Sequence, residues 1–222
     1  NRGLGLGLVK KYLENNEKVF CTTRNILKSK ELKLLKEKHT NSLEICELDL
    51  LDKDSPNILS NFLENEPIDL FINNAGVIGK SAQHFKSVSL DSWLEVLKVN
   101  LIAPLLITQS IIKNIEKSLE KKIYILSSKV GSIEDNKSGG MYVYRSSKTA
   151  LNQIVKSLSI DLKPLGISVI SLHPGWVRTH MGGPNALISV EESVNGMVGV
   201  ISNTNISNSG QFINYDGTEL PW

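Results

Sequence analysis

The stretch YRSSK places Tyr144 and Lys148 four residues apart. On a helix that spacing projects both side chains from one face. An ammonium beside a phenol favours the phenolate and lowers the tyrosine pKa. A tyrosine brought down from about 10 becomes a usable general acid–base. Tyr142 is the nearby competitor, but Ser146 stands four residues after it, so the spacing selects Tyr144. Taken alone, a tyrosine with a lysine one turn later is also a common surface pair. Upstream, Ser127 and Ser128 close the apolar run YIL, where a hydroxyl can donate to a carbonyl oxygen. A serine hydrolase is the rival use. The G-x-S-x-G elbow is absent, however, and no histidine is placed by pattern to act as base.

Other loops carry polar residues of the same promise. In NNAG, Asn73 and Asn74 can brace a turn, while Ala75 and Gly76 leave room for a flat ligand. In LDLLD, Asp49, followed by Leu50, stands within reach of an adenine amino group, or serves as a helix cap. In TTRN, Arg24 occupies the place where an acid would bind a free ribose 2′-hydroxyl. An arginine there pairs instead with a 2′-phosphate, and Arg2 adds a second positive charge. The pair favours NADP(H) over NAD(H), unless both are ordinary surface arginines. The opening NRGLG has Gly3 and Gly5 around Leu4, a turn leading into a helix whose free N–H groups can hold a phosphate. A glycine-tolerant helix start reads the same way. Asn100 stands shortly before Pro104, where a side-chain amide can serve a kink or hold a water.

Short apolar runs and helical periods alternate strictly along the chain. Helices are expected over the opening residues, 25–38, 52–64, 91–118 with a kink at Pro104, 141–163 and 190–202. Strands are expected at KVFCTT, SLEICEL, IDLFIN, KIYILS, GISVISL and GQFINY. This pattern predicts an α/β fold, a doubly wound parallel sheet with helices on both faces, in one Rossmann domain over 1–222. Such sheets bind ligands at the carboxyl ends of their strands. The loops TTRN, LDLLD, NNAG, SSKVG and HPGW all follow strands.

Composition narrows the function classes. With 222 residues, a formal net charge of +2, 22% charged and 41% hydrophobic residues, the chain reads as an ordinary globular domain. Neither a nucleic-acid footprint nor a charged membrane surface is expected. The run LIAPLLITQSII is too short to span a bilayer. Two cysteines without a C-x-x-C pair, and four scattered histidines, argue for no metal site and a reducing, cytoplasmic setting.

Taken together, the motifs resemble the short-chain dehydrogenase/reductase family over essentially the whole chain. NRGLG resembles the last part of its T-G-x-x-x-G-x-G loop, and NNAG is its signature after a central strand. HPGWVRT resembles its P-G-x-x-x-T segment, which puts Pro174, Gly175, Val177 and Thr179 near a nicotinamide. The resemblance implies a catalytic set of Asn100, Ser128, Tyr144 and Lys148. It takes Ser128 over Ser127, and Asn100 as holder of a water linking Lys148 to solvent. It sets Tyr144 and Lys148 against the cofactor as well, Lys148 on the nicotinamide ribose. GGMYVYRSSKTALN, HPGWVRTHMGG and NYDGTELPW are similar to the C-factor and sniffer-type carbonyl reductases. They imply NADPH-dependent reduction of a small carbonyl substrate. A dinucleotide-binding sensor or signalling protein is the alternative. The family also implies a homodimer or homotetramer through helices 91–118 and 141–163. Loops 77–90, 129–143 and 180–189 should set specificity, with Ile78, His84, Ile133, Met141, Trp176 and Met181 giving a partly apolar pocket.

No strand precedes the opening glycines. The resemblance places one between the strands at 18–23 and 68–72. Its absence should leave two open strand edges and an apolar slot, as in a fragment of a longer product that folds poorly and binds NADPH weakly.

Overall fold

The computed structural model describes residues 1–80 and 82–222. Helix α1 (Gly3–Glu14) is followed by β1 (Val19–Thr23), α2 (Lys30–Lys38), β2 (Leu43–Glu47), α3 (Ser55–Leu63) and β3 (Leu70–Asn73). Then come α4 (Leu90–Leu97), a π turn (Lys98–Ile102), α5 (Ala103–Glu116) and β4 (Lys122–Leu126). The chain finishes with α6 (Tyr142–Asp161), β5 (Ser168–His173), α7 (Val190–Asn203) and β6 (Phe212–Asn214). All pairings between these strands are parallel.

Alternation along the strands builds three layers. Ile123 and Ile125 of β4 pack with Ile107, Ile111 and Ile115 of α5 and with Leu151 and Val155 of α6. The intervening Tyr124 and Leu126 point the other way, into Leu8 of α1 and Met197 and Val200 of α7. A strand covered on both faces has no solvent side, which is why these runs are apolar throughout.

The sheet is in two pieces, β1–β2 and β3–β4–β5–β6. Between β1 and β3 lies a slot of about 980 Å³, lined by Val19, Cys21, Leu70 and Ile72 and closed by Leu8 and Ile111. The interruption falls where the family resemblance placed it. The edges of β1 and β3 facing the slot have no ladder partner among the described residues.

Helix boundaries depart from expectation where short polar side chains compete with the helix. Helix α2 starts at Lys30 rather than 25, because Asn25 Oδ1 accepts from Lys28 N–H (2.8 Å) and Asn25 O from Ser29 Oγ (2.6 Å). Helix α3 starts at Ser55 rather than 52, because Asp52 Oδ1 accepts from Asp54 N–H (2.9 Å). Both are turns closed by a side chain before the helix begins. The kink expected at Pro104 is a π turn. Ala103 N–H bonds Lys98 O, five residues back, and the widened turn admits the proline at the start of α5. The combined helix Leu90–Glu116 has 27 residues and is, by length and composition alone, long and apolar enough to cross a bilayer. The run LIAPLLITQSII makes up only part of that helix, which begins eleven residues before it. Its Ile107, Ile111 and Ile115 are buried in the core.

Candidate active site

In a parallel sheet all carboxyl ends lie along one edge, and the loops that leave it converge there. Along this edge the structure places Arg24 after β1, Asp49 and Leu50 after β2, Asn73 to Gly76 at the end of β3, Ser128 after β4 and Pro174 to Thr179 after β5. The amino end of α1 joins them. A Cβ on Gly5 would lie 2.7 Å from Asn74 Nδ2, and one on Gly3 would lie 3.4 Å from Thr179 Cγ2. Gly5 leaves no room for a side chain without displacing Asn74, whereas Gly3 is constrained by its backbone, at φ +53°.

Helix α6 carries Tyr144 and Lys148 on the face that meets this edge. The Ser128 side chain lies beside Tyr144, close enough to act on its ionisation, and its Oγ accepts from Val130 N–H at 3.4 Å. Ser127, by contrast, is buried with its Oγ unpartnered among the described residues. Lys148 is buried, its Nζ 6.0 Å from the centre of the Tyr144 ring and donating to Leu126 O at 2.8 Å. Burial brings the ammonium down to about 8. It pushes Tyr144 up to about 12, with the neighbouring Ser128 side chain partly opposing. The expected lowering of the tyrosine is therefore not what this geometry gives. The ammonium is tied to a carbonyl rather than to the phenol, and desolvation of the phenolate dominates.

Asn100 is fully buried within the π turn. Its Oδ1 accepts from Val77 N–H (2.8 Å), and its Nδ2 donates to Val77 O (2.8 Å) and to Ser147 Oγ (3.0 Å). Both amide hydrogens are spent, so the side chain clamps the segment after NNAG onto α6. A water beside it can meet only the second lone pair of Oδ1 or backbone carbonyls. A methyl on Gly76 would stand 3.5 Å from Asn100 Oδ1 and 3.6 Å from Lys148 Nζ, which sets the turn directly against the ammonium. Two residues without a sequence signal join the site. Ser147 bridges Asn100 and Tyr144 O (2.7 Å). Arg145 holds the loop after Ser128 through Val130 O (3.0 Å) and Ser138 Oγ (2.8 Å).

The remaining candidate residues lie along the same edge. Arg2 caps α1 without a side-chain hydrogen bond, and the first intrahelical bond runs from Leu6 N–H to Arg2 O (3.2 Å). The N–H groups of Gly3, Leu4 and Gly5 thus precede the helical ladder and suit a phosphate. Asn73 is buried with Nδ2 unpartnered among the described residues. Arg2 and Arg24 are exposed, and Glu47, at the end of β2, spends Oε2 on Ile26 N–H (2.8 Å). Asp49 Oδ1 accepts from Leu51 N–H (3.0 Å), a local turn rather than a cap on α3. Val177 is buried and bridges Ile188, Thr179 Oγ1 accepts from Gly182 N–H (3.1 Å), and Pro174 O accepts from Ser193 Oγ (2.5 Å). Gly175 holds φ +83°, and a Cβ there would meet Ile188 Cδ1 at 2.6 Å. Among the described residues no cluster of three metal-ligating side chains occurs.

Comparison with known proteins agrees with this geometry. The profile of the short chain dehydrogenase family matches residues 1–187. The chain is 40% identical over 156 residues to the C-signal of Myxococcus xanthus, covering 70% of this chain and 93% of that protein. It is 30% identical over 243 residues to an uncharacterised oxidoreductase of Schizosaccharomyces pombe, covering 100% and 95%. Among solved structures, carbonyl reductase Sniffer of D. melanogaster superposes with a TM-score of 0.93 at 38% identity, covering 100% of this chain and 96% of that one. The NADPH-bound carbonyl reductase from chicken fatty liver superposes with a TM-score of 0.90 at 34% identity, covering 100% and 95%. With a family profile over most of its length and relatives that align across all of it, the chain belongs to the short-chain dehydrogenase/reductase family.

Proposed function

We propose that the protein reduces the carbonyl of a small aldehyde or ketone with NADPH. The observation that carries the reading is Tyr144 beside Ser128, with Lys148 buried one helical turn away, on the carboxyl edge of the sheet. NADPH, when bound, supplies the hydride. Ser128 donates a hydrogen bond to the carbonyl oxygen, an interaction that strengthens as negative charge develops there. Tyr144 gives its proton to that oxygen. A phenol held up at about 12 is protonated throughout the neutral range, which suits a donor in the reducing direction. Lys148 offsets the negative charge left on the phenol. Gly3, Leu4 and Gly5 would take the pyrophosphate, Arg24 and Arg2 the 2′-phosphate, and Pro174 to Thr179 the nicotinamide end. NADP-bound neighbours support the cofactor choice. Tyr144→Phe is expected to abolish NADPH oxidation with aldehydes while leaving NADPH fluorescence binding intact. Normal turnover in that variant would refute the assignment.

A dinucleotide-binding signalling protein with little turnover is the second reading, favoured by the likeness to C-signal. Binding of NADPH without oxidation across a panel of aldehydes, diketones and quinones would select it. The proposal includes a homodimer or homotetramer through the helices at 91–118 and 141–163. Leu90, Leu94, Ile102 and Leu106 lie exposed along the first of these at helical intervals. Light scattering reads the oligomeric state.

A further inference from the structure

The start of α6 is not capped by its own residue. Met141 stands at the N-cap with φ +49° and makes no side-chain cap hydrogen bond. The first N–H groups of a helix need acceptors from elsewhere. Here they come from Gln83, 61 residues earlier than Tyr144. Gln83 Oε1 accepts from Tyr144 N–H at 2.9 Å, and Gln83 O accepts from Tyr142 N–H at 3.5 Å. The same side-chain amide donates through Nε2 to Ile78 O (2.7 Å) and Lys80 O (2.9 Å). Gln83 is buried, and both its amide hydrogens are used. The loop it folds is pinned at two further points, by Asn100 on Val77 and by Ser92 Oγ on Lys80 N–H (3.2 Å). One side chain therefore ties the backbone at Ile78 and Lys80 to the helix turn that carries the proton donor, which it also caps.

We propose that Gln83 is a positioning residue for Tyr144, coupling the segment 77–80 to the first turn of α6 so that the substrate side and the tyrosine are set together. The inference rests on the reductase reading only for its kinetic consequence; the coupling itself is a property of the backbone. A helix end that loses its cap frays first, and its side chains lose their fixed direction. Hydrophobic contact cannot replace this link, because the groups joined are backbone N–H and C=O groups that require partners when buried.

Two substitutions separate the halves of the link. Gln83→Met removes both. Gln83→Glu keeps an acceptor for Tyr144 N–H but, when ionised, has no hydrogen for Ile78 O or Lys80 O. Native-state hydrogen exchange at the Tyr144 amide is read first, with NADPH affinity by fluorescence, then kcat and KM with benzaldehyde. In Gln83→Met the Tyr144 amide is expected to exchange about tenfold faster. There kcat falls at least as far, while NADPH affinity stays within about twofold. In Gln83→Glu the amide keeps near-native protection, and the loss appears mainly in KM. Native exchange at Tyr144 in Gln83→Met overturns the proposal. So does unchanged kcat despite faster exchange, or the same kcat-against-KM pattern in both variants. If the wild-type chain reduces no aldehyde or ketone, the reductase reading fails, and exchange at Tyr144 still decides the role of Gln83. If Gln83→Met does not fold, the protection of Tyr144 and the raised KM in Gln83→Glu decide it.

Discussion

Replacing Lys148 by Met tests the electrostatics of the site most directly. The side chain is buried, so an apolar replacement of similar length fits the same space and removes only the charge and one hydrogen bond to Leu126 O. The ammonium lies 6.0 Å from the Tyr144 ring centre. At an effective dielectric near 20, a full charge on the phenol at that distance is stabilised by about 2.8 kcal/mol. If the whole charge is present in the transition state, its loss slows reduction about 100-fold; if half is present, about tenfold. A fall in kcat of at least about tenfold is therefore expected, with NADPH still bound. The pH profile carries a second signature. Lys148 is protonated below about 8 and neutral above it, whereas Tyr144 keeps its proton until about 12. Wild-type reduction should hold below about 8 and decline above it, although the tyrosine is still a donor there. Gln and Met at position 148 should both lose that alkaline limb. The assay is NADPH oxidation followed by absorbance from pH 5.5 to 10, with circular dichroism to establish folding. An alkaline limb near 8 that survives in Lys148→Met, or a fall in kcat of less than about threefold, would refute the reasoning.

Two further substitutions probe cofactor choice and acid stability. Arg24→Ala should weaken NADPH about tenfold or more and NADH hardly at all, because only the former offers a 2′-phosphate to a charged donor. Equal losses by fluorescence titration would remove Arg24 from that role. His173 is pushed from 6.5 down to about 4 by burial, then by Lys129 and Lys148, with Asp216 opposing. The unfolded chain takes up this proton near 6.5 while the folded chain does not until about 4. Stability is thus complete above 6.5 and lost as pH falls towards 4, by about 3 kcal/mol. Urea unfolding of His173→Gln over that range should show a shallower acid slope than wild type. An unchanged slope would assign the acid loss to other groups.

Much of the site was legible because its parts are local. Tyr144 and Lys148 share a face through helical spacing alone, and NNAG marks a turn by its own residues. The two-piece sheet was legible only through the family resemblance, since nothing in the strands present marks a gap between the first and the third of them. The starts of α2 and α3 were missed because Asn25 and Asp52 offer the backbone a competing hydrogen bond. Periodicity does not register such competition. The π turn was read as a kink because a proline marks a disturbance of the ladder without saying how the chain absorbs it.

By itself the sequence determined the parallel α/β architecture and the carboxyl edge along which the candidate residues fall. Tertiary structure alone decided how those residues are held and charged. Asn100 reaches Ser147 across 47 residues, and Gln83 reaches Tyr144 across 61. Ser132 reaches Trp222 O across 90, where Ile133 and Glu134 N–H also donate. It also aimed Lys148 at Leu126 O and raised Tyr144 instead of lowering it. The reason is physical. Spacing along the chain fixes which side chains share a face, but desolvation and hydrogen-bond partners depend on what the folded chain brings from a distance.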